Sequence, residues 1–94
     1  MTNRSGLSPD VQHSTTSTVT VSAEIGPRAV GTVYDNASGA FKVLQVVTDP
    51  SEARRIMRRN AARFAILIRD LHAGTEHYTG AVWTGSDRVL KAVA

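Results

Sequence analysis

Apolar positions along the chain change their spacing several times, and each change predicts an element. In TVTVSAEI, Val19, Val21, Ala23 and Ile25 alternate with Thr18, Thr20, Ser22 and Glu24, which is the two-residue period of a half-buried strand. Gly26-Pro27 then breaks the chain. AVGTVYD (29–35) and AFKVLQVVT (40–48) flank Asn36-Ala37-Ser38-Gly39. That cluster is rich in turn formers and has a glycine available for positive φ, so the pair predicts a hairpin. Further on, RFAILIRDL (63–71), HYTGAVW (77–83) and RVLKAV (88–93) predict three more strands, separated by the turns AGTE (73–76) and TGSD (84–87).

Between residues 49 and 63 the spacing becomes helical, in DPSEARRIMRRNAAR. Asp49 suits the N-cap, and Pro50 suits the first helical position because its missing N–H would have no partner there. Glu52 stands three residues after Asp49, the spacing of a capping box. At 100° per residue Ala53, Ile56, Met57 and Asn60 gather on one side, while Arg54, Arg55, Arg58 and Arg59 lie opposite. The pattern predicts a helix over about 50–61 with a thin apolar stripe. It joins the second hairpin strand to the third strand from the end. The 18–25 segment aside, five strands and one helix result.

Two strands depart from simple alternation. Phe64-Ala65-Ile66-Leu67-Ile68 does not alternate, nor does Val43-Leu44-Gln45-Val46-Val47 apart from its glutamine. Both read as buried on both faces. Something must then cover the outer face, either the Ile56/Met57 stripe or a partner subunit. The expected fold is α+β: a small antiparallel sheet or SH3-like partial barrel of about five strands, with one packed helix at about 50–61. Residues 1–17 carry no periodicity and lead into the polar cluster Ser14-Thr15-Thr16-Ser17-Thr18. They are expected to form a disordered tail ahead of a single small domain spanning 18–94.

Composition narrows the function. Ninety-four residues suffice for one domain. The absence of cysteine excludes disulfides and thiolate metal sites. MTNRSGLSPD has no apolar core of a signal peptide, and no apolar run approaches the length of a membrane span. A cytoplasmic protein that binds no membrane is the expectation. The net charge of +3 and pI of about 10.0 favour acidic partners. Arginine outnumbers lysine nine to two, and five of the arginines fall within residues 49–63.

The arginine face, Arg54, Arg55, Arg58 and Arg59, admits two readings besides contact with an acidic protein partner. In one, the guanidiniums grip phosphates, which their fork geometry suits, and release counterions. In the other they form a solvated surface, with ion pairs to Asp70, Glu76 or Asp87. Interleaved glutamates are missing from the face, and Glu52 alone is spaced to pair, with Arg55. Of the five aromatics, Phe64 belongs to the core and Trp83 is expected to pack there with its N–H satisfied at an edge. Tyr34 and Tyr78 are the remaining candidates for stacking on bases.

Other chemistry has little support. His72 and His77 bracket a turn near Asp70 and Glu76, a partial set of zinc or copper ligands, but the spacing is no metal signature and no metal or cofactor is expected. His13 lies in the tail. There is no nucleophile elbow and no glycine-rich phosphate loop, so no enzyme is expected. The expectation is a small non-catalytic interaction module with a protein partner or self-association. The alternative is a nucleic-acid-binding domain using the arginine face of the 50–61 helix.

Overall fold

The computed structural model describes residues 21–93. The expected tail at 1–17 and the start of the 18–25 segment lie outside that range. The hairpin forms as the sequence predicts: β1 (Val33–Asn36) and β2 (Gly39–Val47) pair with Asn36 opposite Gly39. The Asn36 side chain shapes the turn by accepting from the Ser38 N–H at 2.8 Å. Gly39 takes the positive φ, at 147°. β3 (Ala65–Asp70), β4 (Glu76–Thr79) and β5 (Arg88–Lys91) complete the sheet.

The strand order is β4-β3-β2-β1-β5, and every neighbouring pair is antiparallel. β1 to β4 form a meander. The chain then crosses back over the sheet through residues 80–87 and lays β5 beside β1. β4 and β5 are the edges, so the sheet is open and not closed into a barrel. The result is a small α+β domain.

The segment ending in Ile25 is not a strand over its described part. Residues 21–25 form a short helix, α1. Val21 and Ile25 fit a two-residue period, but they also stand four residues apart, which places them on one helical face. Both pack against the core, while Ser22 and Ala23 are exposed. Gly26 ends the turn at φ +64° and donates to the Ser22 carbonyl at 3.0 Å. The predicted strand 29–35 is also trimmed at its start, where Thr32 N–H bonds back to the Ala29 carbonyl in a turn. The predicted strand 77–83 stops at Thr79, and the following residues leave the sheet.

The second helix, α2 (Pro50–Met57), is eight residues long and shorter than predicted. Asp49 caps it, accepting from the Glu52 N–H at 3.1 Å, with Pro50 in the first turn. Arg58 stops it by entering the left-handed region at φ 55°, ψ 41°, with its N–H on the Arg54 carbonyl. An arginine there is costlier than a glycine, but the reversal lets the chain return and deliver Phe64 to the core, where it is buried.

The doubly apolar run of β2 has a structural cause other than double burial. Val43 pairs with Ile68, but Gln45 pairs with Leu67, so Leu44 is an extra residue in a bulge. The bulge flips the phase of the strand. Phe41, Val43 and Val46 therefore share the inner face with Ile66 and Ile68, while Lys42, Gln45 and Val47 share the outer face with Arg69, Leu67 and Ala65. β3 is apolar on both sides because α2 covers one end of its outer face. Ala53 of α2 and Ala65 of β3 are both fully buried there. Ile56 and Met57, the expected cover, are only half-buried. β2 and β3 are interior strands, so neither presents an edge to a second copy.

The inner face holds Tyr34, Phe41, Val43, Phe64, Ile66 and Ile68, covered by Val21 and Ile25 of α1 and by Trp83 of the crossover. Arg28 ties these covering pieces together and is only 3% exposed. Its Nε donates to the Ile25 carbonyl at 2.8 Å, and one terminal nitrogen donates to the carbonyls of Glu24 at 2.9 Å and Ala81 at 2.8 Å. The guanidinium lies 5.7 Å from the ring centres of both Tyr34 and Trp83, within range of a cation–π attraction. Trp83 adds a backbone bond from its own N–H to the Glu24 carbonyl at 2.7 Å.

Two substitutions test this arrangement. Arg28→Met keeps the bulk but strips donors from three carbonyls, and is expected to cost about 2–4 kcal/mol. A Cβ on Gly26 would sit 2.5 Å from Trp83 Cγ at a left-handed φ. Gly26→Ala is therefore expected to cost a similar amount, about 2–4 kcal/mol, from strain plus overpacking. Urea denaturation midpoints at constant m-value would measure both; a loss under about 0.5 kcal/mol, the size of an ordinary surface change, would contradict the tie.

Candidate anion-binding face

The four arginines read from the sequence do not form one helical ridge. Arg54 and Arg55 lie in the last turn of α2, whereas Arg58 caps it and Arg59 lies beyond it. Arg55 and Arg58 line a groove with Ile56 and Glu52 of α2 against Gln45, Val47 and Tyr78 of the sheet's outer face. Arg59 instead lines a separate cavity with Met57, Arg63, Phe64 and Glu24. Arg54 is exposed and reaches Ser51 Oγ at 3.4 Å. The break at Arg58 separates residues that a longer helix would have aligned. The cluster also sits at the C-terminal end of α2, where the helix dipole attracts cations and not anions. Any anion held here is held by side chains.

None of the ion pairs expected from the sheet to these arginines forms among the described residues. Asp70 is used by its own turn, accepting from the N–H groups of His72 and Ala73 at 2.9 Å each. Glu76 pairs across the sheet with Arg69 at 2.5 Å. Asp87 accepts from Asn36 Nδ2 at 2.9 Å and from the Thr84 N–H at 2.8 Å. Arg63 pairs with Glu24 of α1 at 2.5 Å. Glu52 does pair with Arg55 as its spacing suggests. Its carboxylate is thereby drawn to Arg55, and the return bond of a capping box to the Asp49 N–H is not made.

Strand register extends the site beyond the arginines. Glu76, Arg69, Lys42, Val33 and Lys91 stand in one row across the outer face, and Asp35 and Arg88 lie on the same face beside them. Together with Arg55, Arg58 and Glu52 of the groove, this surface carries six cations and three carboxylates. Each carboxylate is already paired: Asp35 with Arg88, Glu52 with Arg55 and Glu76 with Arg69. Lys42, Arg58 and Lys91 have no carboxylate partner among the described residues. The excess of three charges here equals the +3 of the whole chain.

The aromatics divide clearly. Tyr34 is buried at 3% exposure and stacks in the core, its ring centre 5.5 Å from those of Phe41 and Trp83. It is not a stacking surface for a ligand. Trp83 packs on the core as expected, though its hydrogen bond among the described residues is made by the backbone N–H and not the indole. Tyr78 is the aromatic on the outer face; it is half-buried in the groove and its hydroxyl donates to Gln45 Oε1 at 3.1 Å.

His72 and His77 do not assemble with Asp70 and Glu76. Among the described residues no group of three or more potential metal ligands forms. His77 stands opposite Ile68 on the inner face, whereas Glu76 is on the outer face. No helix among the described residues is long and apolar enough to cross a membrane. Comparison of the chain with protein-family models, with curated proteins and with solved structures found no match. The reading of function therefore rests on this chain's own geometry.

Lys42, Gln45, Arg69 and Lys91 were not singled out by sequence reasoning. Their signal was present in part: Lys42 sits between the core residues Phe41 and Val43, and Gln45 interrupts an apolar run. The bulge at Leu44 that aligns them was not visible.

Two carboxylates titrate abnormally. Hydrogen bonds from the Ala73 and His72 backbone hold Asp70 below its ordinary 3.8. At Asp87 burial pushes upward, but the bonds from Asn36 and Thr84 and the nearby Arg28 charge outweigh it and lower the value. Both groups thus bind protons less readily folded than unfolded. The stability they contribute is complete above the unfolded value of 3.8 and is lost as pH falls through the lower folded value. Urea denaturation is expected to show stability declining as pH falls below about 4. The Asp70→Asn/Asp87→Asn variant should start less stable and decline less steeply there; a parallel decline would exclude these two groups as the cause.

Proposed function

We propose that the protein is a small non-catalytic interaction module that docks an extended anionic partner on the outer face of its sheet, beside α2. The observation that carries this reading is the charge accounting of that face. Every carboxylate on it is occupied by an arginine, and Lys42, Arg58 and Lys91 remain without counter-ions. A solvated surface balanced by its own ion pairs has no such remainder. An extended partner suits the spacing, because the unpaired cations are spread over the face instead of converging on one point. Two strand spacings separate Lys42 from Lys91, about 10 Å. A single small anion would reach one of these groups, whereas a polyanion reaches all three.

The absence of enclosure favours binding over catalysis. The groove is open, and no nucleophile, general base and orienting group converge on it. Binding of this kind depends steeply on ionic strength, because each polyanion charge that is neutralised releases a condensed counterion.

The experiment is retention on immobilised heparin, used as a generic polyanion, in a salt gradient. The wild-type chain is expected to bind at low ionic strength and elute with rising salt. Lys42→Glu/Arg58→Glu should abolish retention without altering the thermal midpoint by more than a few degrees. Arg54→Glu, off this face, should shift elution only slightly. Equal effects of Arg54→Glu and Arg58→Glu would restore the helical-ridge arrangement and overturn the outer face. Failure of the wild-type chain to bind at low salt would overturn anion docking altogether.

A further inference from the structure

We propose that the anionic partner is a single-stranded nucleic acid, with a base stacked on Tyr78 and the phosphates of its neighbours on Arg58 and Lys42; this rests on the outer-face reading above and specifies its ligand. The argument starts from what the break in α2 does to the arginines. A duplex stacks its bases inside and is read by an element that projects into its major groove, such as a basic helix. Here α2 is eight residues long. Arg58 turns out of the helix at its left-handed φ and lies, with Arg55, in the groove between helix and sheet. These two arginines thus edge an open groove beside the sheet and do not crown a helical ridge.

The groove has an aromatic side chain in its lining. Tyr78 shares it with Arg55, Arg58 and Gln45. An aromatic ring in a groove that also carries cations is the combination that binds unpaired bases without regard to sequence, since every base has a π-face and every nucleotide brings a phosphate. Paired bases offer no such face, because both are already stacked inside the duplex. The ring is held in place: its hydroxyl donates to Gln45 Oε1, and Tyr78, Leu67 and Gln45 stand in one row across β4, β3 and β2. The Gln45 amide nitrogen makes no hydrogen bond among the described residues, so it retains two donors for the acceptors on a base edge. Lys42 lies in the next row, two strands over from Tyr78, about 10 Å across the sheet and 7 Å along it. This separation suits the phosphate of a neighbouring nucleotide better than that of the stacked one.

Other occupants fit less well. A sulfated polysaccharide or inorganic polyphosphate would use the cations and leave Tyr78 idle. An acidic protein would meet the same charges, but the rings it presents are few, and the groove would select no feature of its carboxylates.

Fluorescence anisotropy tests the proposal, using a labelled oligothymidine and a duplex of the same length at one ionic strength. The single strand is expected to bind at least about tenfold more tightly than the duplex, the order of one stacked base. Tyr78→Leu should lose about tenfold in affinity for the single strand, with retention on heparin unchanged, while Tyr78→Phe should retain single-strand affinity. Equal affinity for single strand and duplex would overturn the proposal, and that comparison uses the wild-type chain, so it stands even if Tyr78→Leu fails to fold. Failure of the wild-type chain to bind the oligothymidine, with its heparin retention intact, would sink this proposal and leave the anion-docking face standing. Loss of both would sink the two together.

Discussion

The buried guanidinium of Arg28 is the constraint on which the rest of the domain depends. A sheet of five strands with two open edges has an apolar inner face that something must cover, and the covering pieces here are small: one turn of helix and an eight-residue crossover. Their apolar contacts with the core come from the partly buried Val21, Ile25 and Trp83. Arg28 joins them by donating to carbonyls of both, at Glu24 and Ile25 on one side and Ala81 on the other. Its plane rests against Tyr34 and Trp83, which belong to the core beneath. Among the described residues the charge is not paired by direct contact with a carboxylate. Carbonyl dipoles at a helix C-terminus, two aromatic faces and the field of nearby Asp87 stabilise it instead. Removing it leaves the Ile25 and Ala81 carbonyls without this donor and Glu24 with only the Trp83 N–H, which makes such a group costlier to lose than to have.

With the inner face closed in this way, the outer face is left to the helix and the solvent. α2 covers only the end of the sheet near Val47 and Ala65, because it ends after two turns. The remainder carries the alternate side chains of β1 to β5, and these are mostly charged. Two irregularities decide which charges meet there. The bulge at Leu44 moves Gln45 onto the face of Leu67 and Tyr78, in register with Lys42 and Arg69 one row away. The left-handed residue at Arg58 brings a guanidinium down beside them. The surface and the core therefore share a cause, since the same bulge that preserves Val46 as a core residue also sets the outer row.

The ion pairs on this face, two across strands and one within α2, are largely exposed and contribute little to stability individually. Their effect is electrostatic in another sense. By occupying all three carboxylates they leave a net positive field from Lys42, Arg58 and Lys91, in a protein whose other charges balance. Field of one sign over an open face accelerates encounter with anions and is screened by salt.

Much of the fold was legible in the amino-acid order because it depends on local rules. Asn36 to Gly39 specify a hairpin turn, Asp49 and Pro50 start a helix, and the alternation of β1 and the apolar density of β3 mark strands. The first helix was not legible, since Val21 and Ile25 satisfy a strand period and a helical one equally, and only the core beneath them chooses. The length of α2 was misjudged for a related reason: its arginines continue a helical pattern that the chain abandons in order to return Phe64 to the core. The candidate site was legible in part, as a concentration of arginine with Tyr78 in reserve. Which cations share a surface depends on register, on a one-residue bulge and on a reversal at Arg58, and each of these is settled by packing between segments distant in sequence. The sequence by itself determined the turns, the caps and the sign of the charge, which are properties of neighbours along the chain. Tertiary structure alone decided the helical state of residues 21–25, the burial of Arg28 and the membership of the charged face, because those depend on which residues the completed sheet brings together.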